Sequence, residues 1–258
     1  MNRDQLREQL KFYRDIGVTD VYRAAGGTGV AAEAIAEAPV LASTPVLAAT
    51  GVTSAPQEIV LPSLAPDGDT LEKIQQDIGP DCRRCRLCEQ RSKIVFGSGD
   101  PNARLVFVGE GPGADEDAQG FPFVGRAGQL LTQMIEGTAS KEGIPIGRAN
   151  VYICNVVKCR PPENRTPQPD EMEICGQFLF RQLMAIRPKA ICALGSTAAK
   201  ALLNTKDGVT RLRGSWHKWR DIPVIVTFHP SYLLRPYNQD AKRQAWEDLK
   251  KVLHYVYD

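Results

Sequence analysis

The chain has 258 residues, 43% of them apolar and 24% charged, which is the usage of a soluble globular protein with one or two domains. No run approaches the roughly 18 uninterrupted apolar residues of a membrane span, and the N-terminal stretch MNRDQLREQLKFYRD lacks the apolar core of a secretory signal, so a cytoplasmic location without membrane association is expected. The net charge of +2 conceals an asymmetry: Lys and Arg number 6 against 11 Asp and Glu in residues 1–80, but 26 against 19 in residues 81–258. The basic part suits a polyanion such as DNA, although an ordinary solvated surface would give the same count.

In chain order, residues 3–16 set Leu6, Leu10, Phe12 and Tyr13 among charges at near-helical spacing, which predicts a short amphipathic helix within residues 1–23, a segment suited to binding a partner. Residues 24–70 are rich in Ala, Pro, Thr, Val and Gly, carry no Lys or Arg, and read as a flexible linker without a period of its own. The globular domain then spans residues 71–258, long enough for one core. Apolar β-branched runs at 104–110, 151–157, 190–195 and 223–229 read as buried strands, and 125–137, 170–187, 196–204 and 238–257 as helices. Such alternation predicts an α/β fold, a three-layer sandwich whose central four-stranded parallel sheet is covered by helices on both faces. Ligands of such sheets gather at the carboxyl ends of the strands.

Four cysteines stand out. Cys82 and Cys85 form a C-x-x-C, and Cys159 and Cys175 follow about 70 residues later on either side of the loop Arg160-Pro161-Pro162-Glu163-Asn164-Arg165. Two separated thiolate pairs are what a tetrahedral metal or a cubane iron–sulfur cluster requires. The total of seven cysteines, odd and irregularly spaced, argues against a disulfide framework.

The strand ends carry the remaining chemistry. The first ends in Gly109-Glu110-Gly111-Pro112-Gly113, a turn able to bring backbone amides close to an anionic oxygen, or else a plain connection; it is no P-loop, since no Lys-Ser/Thr follows. Beyond it, Phe123 in Gly120-Phe-Pro-Phe-Val-Gly125 either stacks a base or fills the core. Asn155 at the end of the second strand needs a structural hydrogen bond or a ligand, and its amide has the donor and acceptor that read a pyrimidine edge. The fourth strand ends in His229-Pro230-Ser231-Tyr232-Leu233-Leu234-Arg235, a histidine followed by a stiff loop with apolar tips.

Together the pieces C-R-R-C-R-L-C, V-F-G-S-G-D-P-N-A, G-E-G-P-G-A-D-E-D-A-Q-G-F-P-F-V-G, N-V-V-K-C-R-P-P-E-N-R, R-G-S-W-H-K-W and H-P-S-Y-L-L-R resemble the family 4 uracil-DNA glycosylases, over about Cys82 to Tyr257. The resemblance implies a [4Fe–4S] cluster on Cys82, Cys85, Cys159 and Cys175, leaving out Cys88, Cys154 and Cys192. It implies uracil-containing DNA, single- or double-stranded, as substrate for a monomeric enzyme, and hydrolysis of the N-glycosidic bond with release of an abasic site. By the same resemblance His229 and the Gly111–Gly113 amides stabilise the departing uracil anion, Phe123 stacks the base, Asn155 reads its edge, and Glu116 lies near uracil C5. Glu110 positions water or stabilises the cationic sugar, and Leu233 and Leu234 form the wedge in the DNA. Gly111 follows Glu110 where the superfamily's best-known branch has a water-activating Asp, so the group that activates water is left open. No basic insertion ending in histidine follows Arg160, which favours turnover over covalent trapping. Two other classes fit four cysteines and a basic face: a zinc-stabilised DNA-binding accessory protein tethered to a polymerase or clamp by the N-terminal helix, and a redox or radical iron–sulfur enzyme.

Overall fold

The computed structural model describes residues 68–235 and 237–258, so the helix expected within 1–23 and nearly all of the linker lie outside the described residues. The chain divides into two units, Met1–Glu58 and Ile59–Asp258, and all described residues fall in the second. Helix α1, Leu71–Ile78, opens with Thr70 as N-cap, its side chain accepting the Lys73 N–H, and buries Ile74 and Ile78. The sheet contains β1 (Ser98–Gly99), β2 (Leu105–Gly109), β3 (Tyr152–Asn155), β4 (Ala190–Leu194), β5 (Trp216–Trp219) and β6 (Ile222–Thr227), in the spatial order β1-β3-β2-β4-β6-β5.

β3, β2, β4 and β6 are mutually parallel, as the four apolar runs predict. The two edge strands are antiparallel additions that the sequence pattern does not reveal. β1 is two residues long, and β5 is the stretch Trp-His-Lys-Trp, so neither has an apolar run to mark it. Short, polar-bearing edges of this kind leave little ladder open to a stray strand.

Side-chain alternation along the parallel strands divides the interior into two layers. Val106, Val108, Ile191, Ala193, Val224 and Val226 join one core. That core is closed by Phe178, Leu179 and Leu183 of α4 (Pro169–Ile186) and by Ala198, Ala199 and Leu202 of α5 (Ser196–Leu203). Leu105, Phe107, Ile153, Cys192, Leu194 and Ile225 point the other way. They meet Leu131 and Ile135 of α3 (Arg126–Lys141) and Leu249, Val252 and Leu253 of α8 (Gln239–Tyr257). The result is the expected three-layer α/β/α sandwich. Three short helices, α2 (Ala114–Gln119), α6 (Val209–Leu212) and α7 (Pro230–Leu233), sit in the loops. No helix among the described residues is long and apolar enough to cross a membrane.

The chain runs from β2 to β3 on one side, then to β4 on the other. The crevice therefore opens at the carboxyl ends of these strands, the place where a change in winding direction leaves room for a ligand.

Candidate active site

A cavity of about 350 Å³ occupies that crevice, and each parallel strand contributes to it from the residues at or just past its carboxyl end. β2 supplies Glu110 and Gly111, β3 supplies Asn155, β4 is followed by Gly195 and Ser196, and β6 by His229 and Ser231. Gly113, Glu116, Phe123 and the loop residues Pro161, Asn164 and Arg165 complete the walls. Seven residues singled out in the sequence, Glu110, Gly111, Gly113, Glu116, Phe123, Asn155 and His229, thus meet around one space.

The β2–β3 pairing sets the floor. Gly109 and Asn155 are register partners, and the ladder continues past the strands through Val156 N–H to the Gly109 carbonyl at 3.0 Å and Val157 N–H to the Glu110 carbonyl at 3.2 Å. A Cβ on Gly109 would stand 2.4 Å from Asn155 Oδ1 and 2.6 Å from the Phe123 ring, so glycine there is a condition for both side chains to reach the cavity. Asn155 is buried, and its Oδ1 has no hydrogen-bond partner. An orphaned buried acceptor costs about 1–3 kcal/mol, a cost that a ligand donor would remove. Below the floor lies Lys158, fully buried, whose Nζ donates to the Asn155 carbonyl at 2.8 Å and to Gln182 Oε1 at 2.6 Å. Gln182 in turn donates to the Phe96 carbonyl and to the Tyr152 hydroxyl, so the end of β3 is held from behind by a closed polar network.

His229 is half-buried, and its environment fixes its state. The Ser231 N–H donates to Nδ1 at 3.2 Å, and the Ser231 hydroxyl lies 2.8 Å from the same nitrogen. With Nδ1 accepting from the backbone, the proton of the neutral ring resides on Nε2, leaving that nitrogen as a donor. Burial pushes the His229 pKa down to about 4, against a smaller opposing effect of Glu116, so the ring is neutral at physiological pH. Its ring lies 5.6 Å from that of Phe123. Phe123 is itself held at φ 54°, a strained backbone conformation for a bulky residue. Arg148 braces its loop by donating to the Pro122 carbonyl at 2.7 Å.

Glu116 faces the cavity, but its carboxylate is committed to the backbone: Oε2 accepts the Gly113 N–H, and Oε1 accepts those of Val124 and Gly125, all within 3.0 Å. This ties the Gly-Pro-Gly turn rigidly to the Phe123 loop. It also takes up the Gly113 amide, and Pro112 has none, so of the two glycines expected to offer amides to an anion the turn retains Gly111. Glu110 accepts a hydrogen bond from the Thr197 hydroxyl on Oε2. The apolar tips also differ from expectation. Leu233 is 1% exposed, packed with Ala241 and Ala245, because the single turn of α7 rotates it inward. Leu234, one residue on, is half-buried and remains at the surface.

The sequence reading missed Gly195-Ser196-Thr197, which looks like an ordinary strand-to-helix junction. Gly195 has φ 91°, and a Cβ there would lie 3.0 Å from that of His229, so the close approach of the two loops rests on glycine. A φ requirement of this kind leaves no periodic signal. In the sequence Asn164 and Arg165 belong to the loop between two cysteines, and in the fold they are cavity walls.

The four cysteines adjoin this site. Cys159 and Cys175 lie in the first core layer, with Cys82 and Cys85 packed against it. Arg91 Nη1 donates to the Cys82 carbonyl at 2.7 Å and to Cys159 Sγ at 3.5 Å, and the Lys158 N–H donates to Cys175 Sγ at 3.2 Å. Burial, against smaller opposing effects of Arg91 on Cys159 and of Lys158 on Cys175, pushes Cys159 up to about 12 and Cys175 up to about 11. Among the described residues no three His, Cys, Asp or Glu side chains are gathered as one metal ion would need. A cubane takes one thiolate at each of four irons, so its ligands stand farther apart than those of a single ion, and the chemistry of this donor set, thiols with amide and guanidinium donors to sulfur, fits such a group. Glu171, fully buried, links the cysteine loops to the cavity wall: it accepts two bonds from Arg165 at 2.7 and 2.8 Å, one from Arg86 beside Cys85 at 3.0 Å, and the Gln168 N–H at 2.7 Å. Those contacts, Arg165 foremost, hold its pKa at about 2.

A doubly wound sheet with a polar crevice at its switch point places the chain in the α/β class, whose ligands bind at that crevice. The sequence profile of the uracil DNA glycosylase superfamily matches residues 96–250, and the chain belongs to that superfamily, in its type-4 branch. A type-4 uracil-DNA glycosylase of Thermotoga maritima is 43% identical over 192 residues, which are 72% of this chain and 97% of that one. Namesakes from Sulfurisphaera tokodaii and Archaeoglobus fulgidus are 42% and 41% identical, over 71% of this chain and 84% and 92% of their own lengths.

Proposed function

We propose that this protein is a uracil-DNA glycosylase of base excision repair, which draws a deoxyuridine nucleotide out of DNA, hydrolyses its N-glycosidic bond and leaves an abasic site. The observation that carries this reading is the buried, unpartnered Asn155 Oδ1, set beside the Phe123 ring and His229 in a cavity large enough for one base. The N3–H of uracil supplies the missing donor, at the position where cytosine presents an unprotonated N3 that is itself an acceptor.

In the reaction the C1′–N1 bond breaks with its electron pair leaving on uracil, where charge gathers on O2 and O4, while the sugar takes oxocarbenium character. The Nε2–H of neutral His229 donates to the developing oxyanion, with the Gly111 amide assisting. The Glu110 carboxylate stabilises the cationic sugar and accepts a proton from the water that adds to C1′. Glu116, immobilised by three amides, forms a stiff wall near C5 that rejects the methyl group of thymine. Leu234 fills the gap left in the DNA stack, the role that Leu233 is too buried to share.

Cys82, Cys85, Cys159 and Cys175 would hold a [4Fe–4S] cluster. That group supplies a cross-link between the two cysteine loops, and the Glu171 bridge carries its rigidity to the wall formed by Arg165. The enzyme acts as a monomer in the cytoplasm, and its N-terminal segment recruits a repair or replication partner.

The test is incubation with an end-labelled oligonucleotide bearing one deoxyuridine, followed by alkali and electrophoresis. Cleavage at that position, with none when thymidine replaces it, is the expected result. An unbroken strand with intact iron content would refute the reading, and retardation of the same oligonucleotide in a native gel would then identify a binder without catalysis.

A further inference from the structure

We infer that Thr197 is a positioning residue for Glu110: its hydroxyl selects which carboxylate oxygen turns toward the reacting sugar. The inference rests on the reading of Glu110 as the group that handles water and cationic charge. Thr197 stands at the second position of α5, 3% exposed, and its Oγ1 donates to Glu110 Oε2. A carboxylate has two equivalent oxygens and a freely turning terminal bond. A donor fixed by the packing of Ala198 and Ala199 beside it removes that freedom and engages Oε2, so that Oε1 is the oxygen Glu110 has left to offer the cavity it lines. Such a bond between a hydroxyl and an ionised carboxylate is of the charge-assisted kind. The segment is built to bring this about. Gly195 permits the tight turn after β4, Ser196 meets the cavity, and Thr197 reaches the end of β2 from the end of the neighbouring strand. Among the described residues the Thr197 hydroxyl bonds to Glu110 alone, and valine, of the same shape, would remove that bond without emptying the site.

The test compares Thr197→Val, Thr197→Ser and Glu110→Gln in single-turnover cleavage of the deoxyuridine oligonucleotide. Affinity is measured in parallel on an uncleavable 2′-fluoro-deoxyuridine strand. The expected result is a 10- to 100-fold slower rate for Thr197→Val, about the worth of one hydrogen bond to a charged group, with affinity within about twofold of the parent. Thr197→Ser keeps the donor and recovers most of the rate. In a Glu110→Gln background, Thr197→Val should slow the reaction by less than about threefold, because the two residues act as a unit. Parental rate in Thr197→Val with Glu110→Gln slow would overturn the inference and leave the role of Glu110 standing. Equal slowing by Val and Ser would also overturn it, since packing rather than the hydroxyl would then be responsible. Parental rates in both Glu110→Gln and Thr197→Val would overturn the role of Glu110 itself.

Discussion

The Ser231 backbone N–H and the Nδ1 of His229 face each other at 3.2 Å within one turn, so the histidine that ends β6 is held in a defined tautomer by the residue two places after it. A proline between them, Pro230 at the first position of α7, makes the turn stiff. His229 is therefore a neutral donor through Nε2, and not a cation.

This state predicts an NMR signature. The His229 imidazole should show the Nε2–H tautomer and no titration between pH 5 and 8, with a midpoint near 4. Because its folded pKa lies below the unfolded value near 6.5, the unfolded chain binds the proton first as pH falls. Stability should accordingly decline from about pH 6.5 down through pH 4, and His229→Gln should remove that part of the decline in urea titrations at several pH values. A His229 midpoint at 6 or above would refute the assignment.

Gly109 predicts a severe effect from the smallest of substitutions. Ala at this position places Cβ 2.4 Å from Asn155 Oδ1 and 2.6 Å from Phe123, so the floor must shift. Gly109→Ala should lower the single-turnover rate by roughly 100-fold or more, since misplacement of about 1 Å has that consequence, while the far-ultraviolet dichroism is preserved. A rate within threefold of the parent would show that the contact between floor and base is not made.

The two leucines of the His229 loop separate cleanly. Leu233→Ala should destabilise the protein by about 2–5 kcal/mol, the usual cost of emptying a buried leucine site, with a modest effect on cleavage at low temperature. Leu234→Ala should be close to neutral for stability yet slow the excision of uracil from duplex DNA more than from single strands, because only the duplex leaves a gap to fill. Thermal melts and paired rate measurements on the two substrates decide the matter, and a reversed pattern would move the wedge to Leu233.

Glu171 predicts a loss of stability with consequences at a distance. Its carboxylate joins Arg86 of the first cysteine loop to Arg165 of the cavity wall, so Glu171→Gln should lower stability by roughly 3 kcal/mol, accelerate loss of iron on dialysis and weaken substrate binding together. Its folded pKa near 2 lies below the ordinary value, so its stabilisation is complete above about pH 5 and disappears as pH falls through 2. Iron retention and melting temperature equal to the parent would show the bridge to be ornamental.

Much of this arrangement is legible in the residues. The apolar runs at 104–110, 151–157, 190–195 and 223–229 are long enough to identify the four parallel strands, and the chemistry-bearing residues lie at or just past the ends of those strands. What escapes is whatever depends on the third dimension without a period or a composition. Trp216–Trp219 becomes a strand only because β6 offers it an edge. Thr197 and Glu110 are 87 positions apart and meet because β4 lies beside β2. Leu233 and Leu234 are chemically identical, and the single turn of α7 alone decides which one is buried. Nothing in the sequence around Glu116 marks the three backbone amides that claim its carboxylate in the fold.

The most direct test is the single-turnover rate on a deoxyuridine oligonucleotide for the parent, Asn155→Ala and His229→Ala, with iron content and melting temperature matched. Falls of about 100- to 1,000-fold in each variant, the range for loss of one preorganised donor or acceptor at a transition state, are predicted, with thymidine strands untouched throughout. Parental rates in both variants would contradict the account, because the cavity at the strand ends would then not be where uracil is cut from DNA.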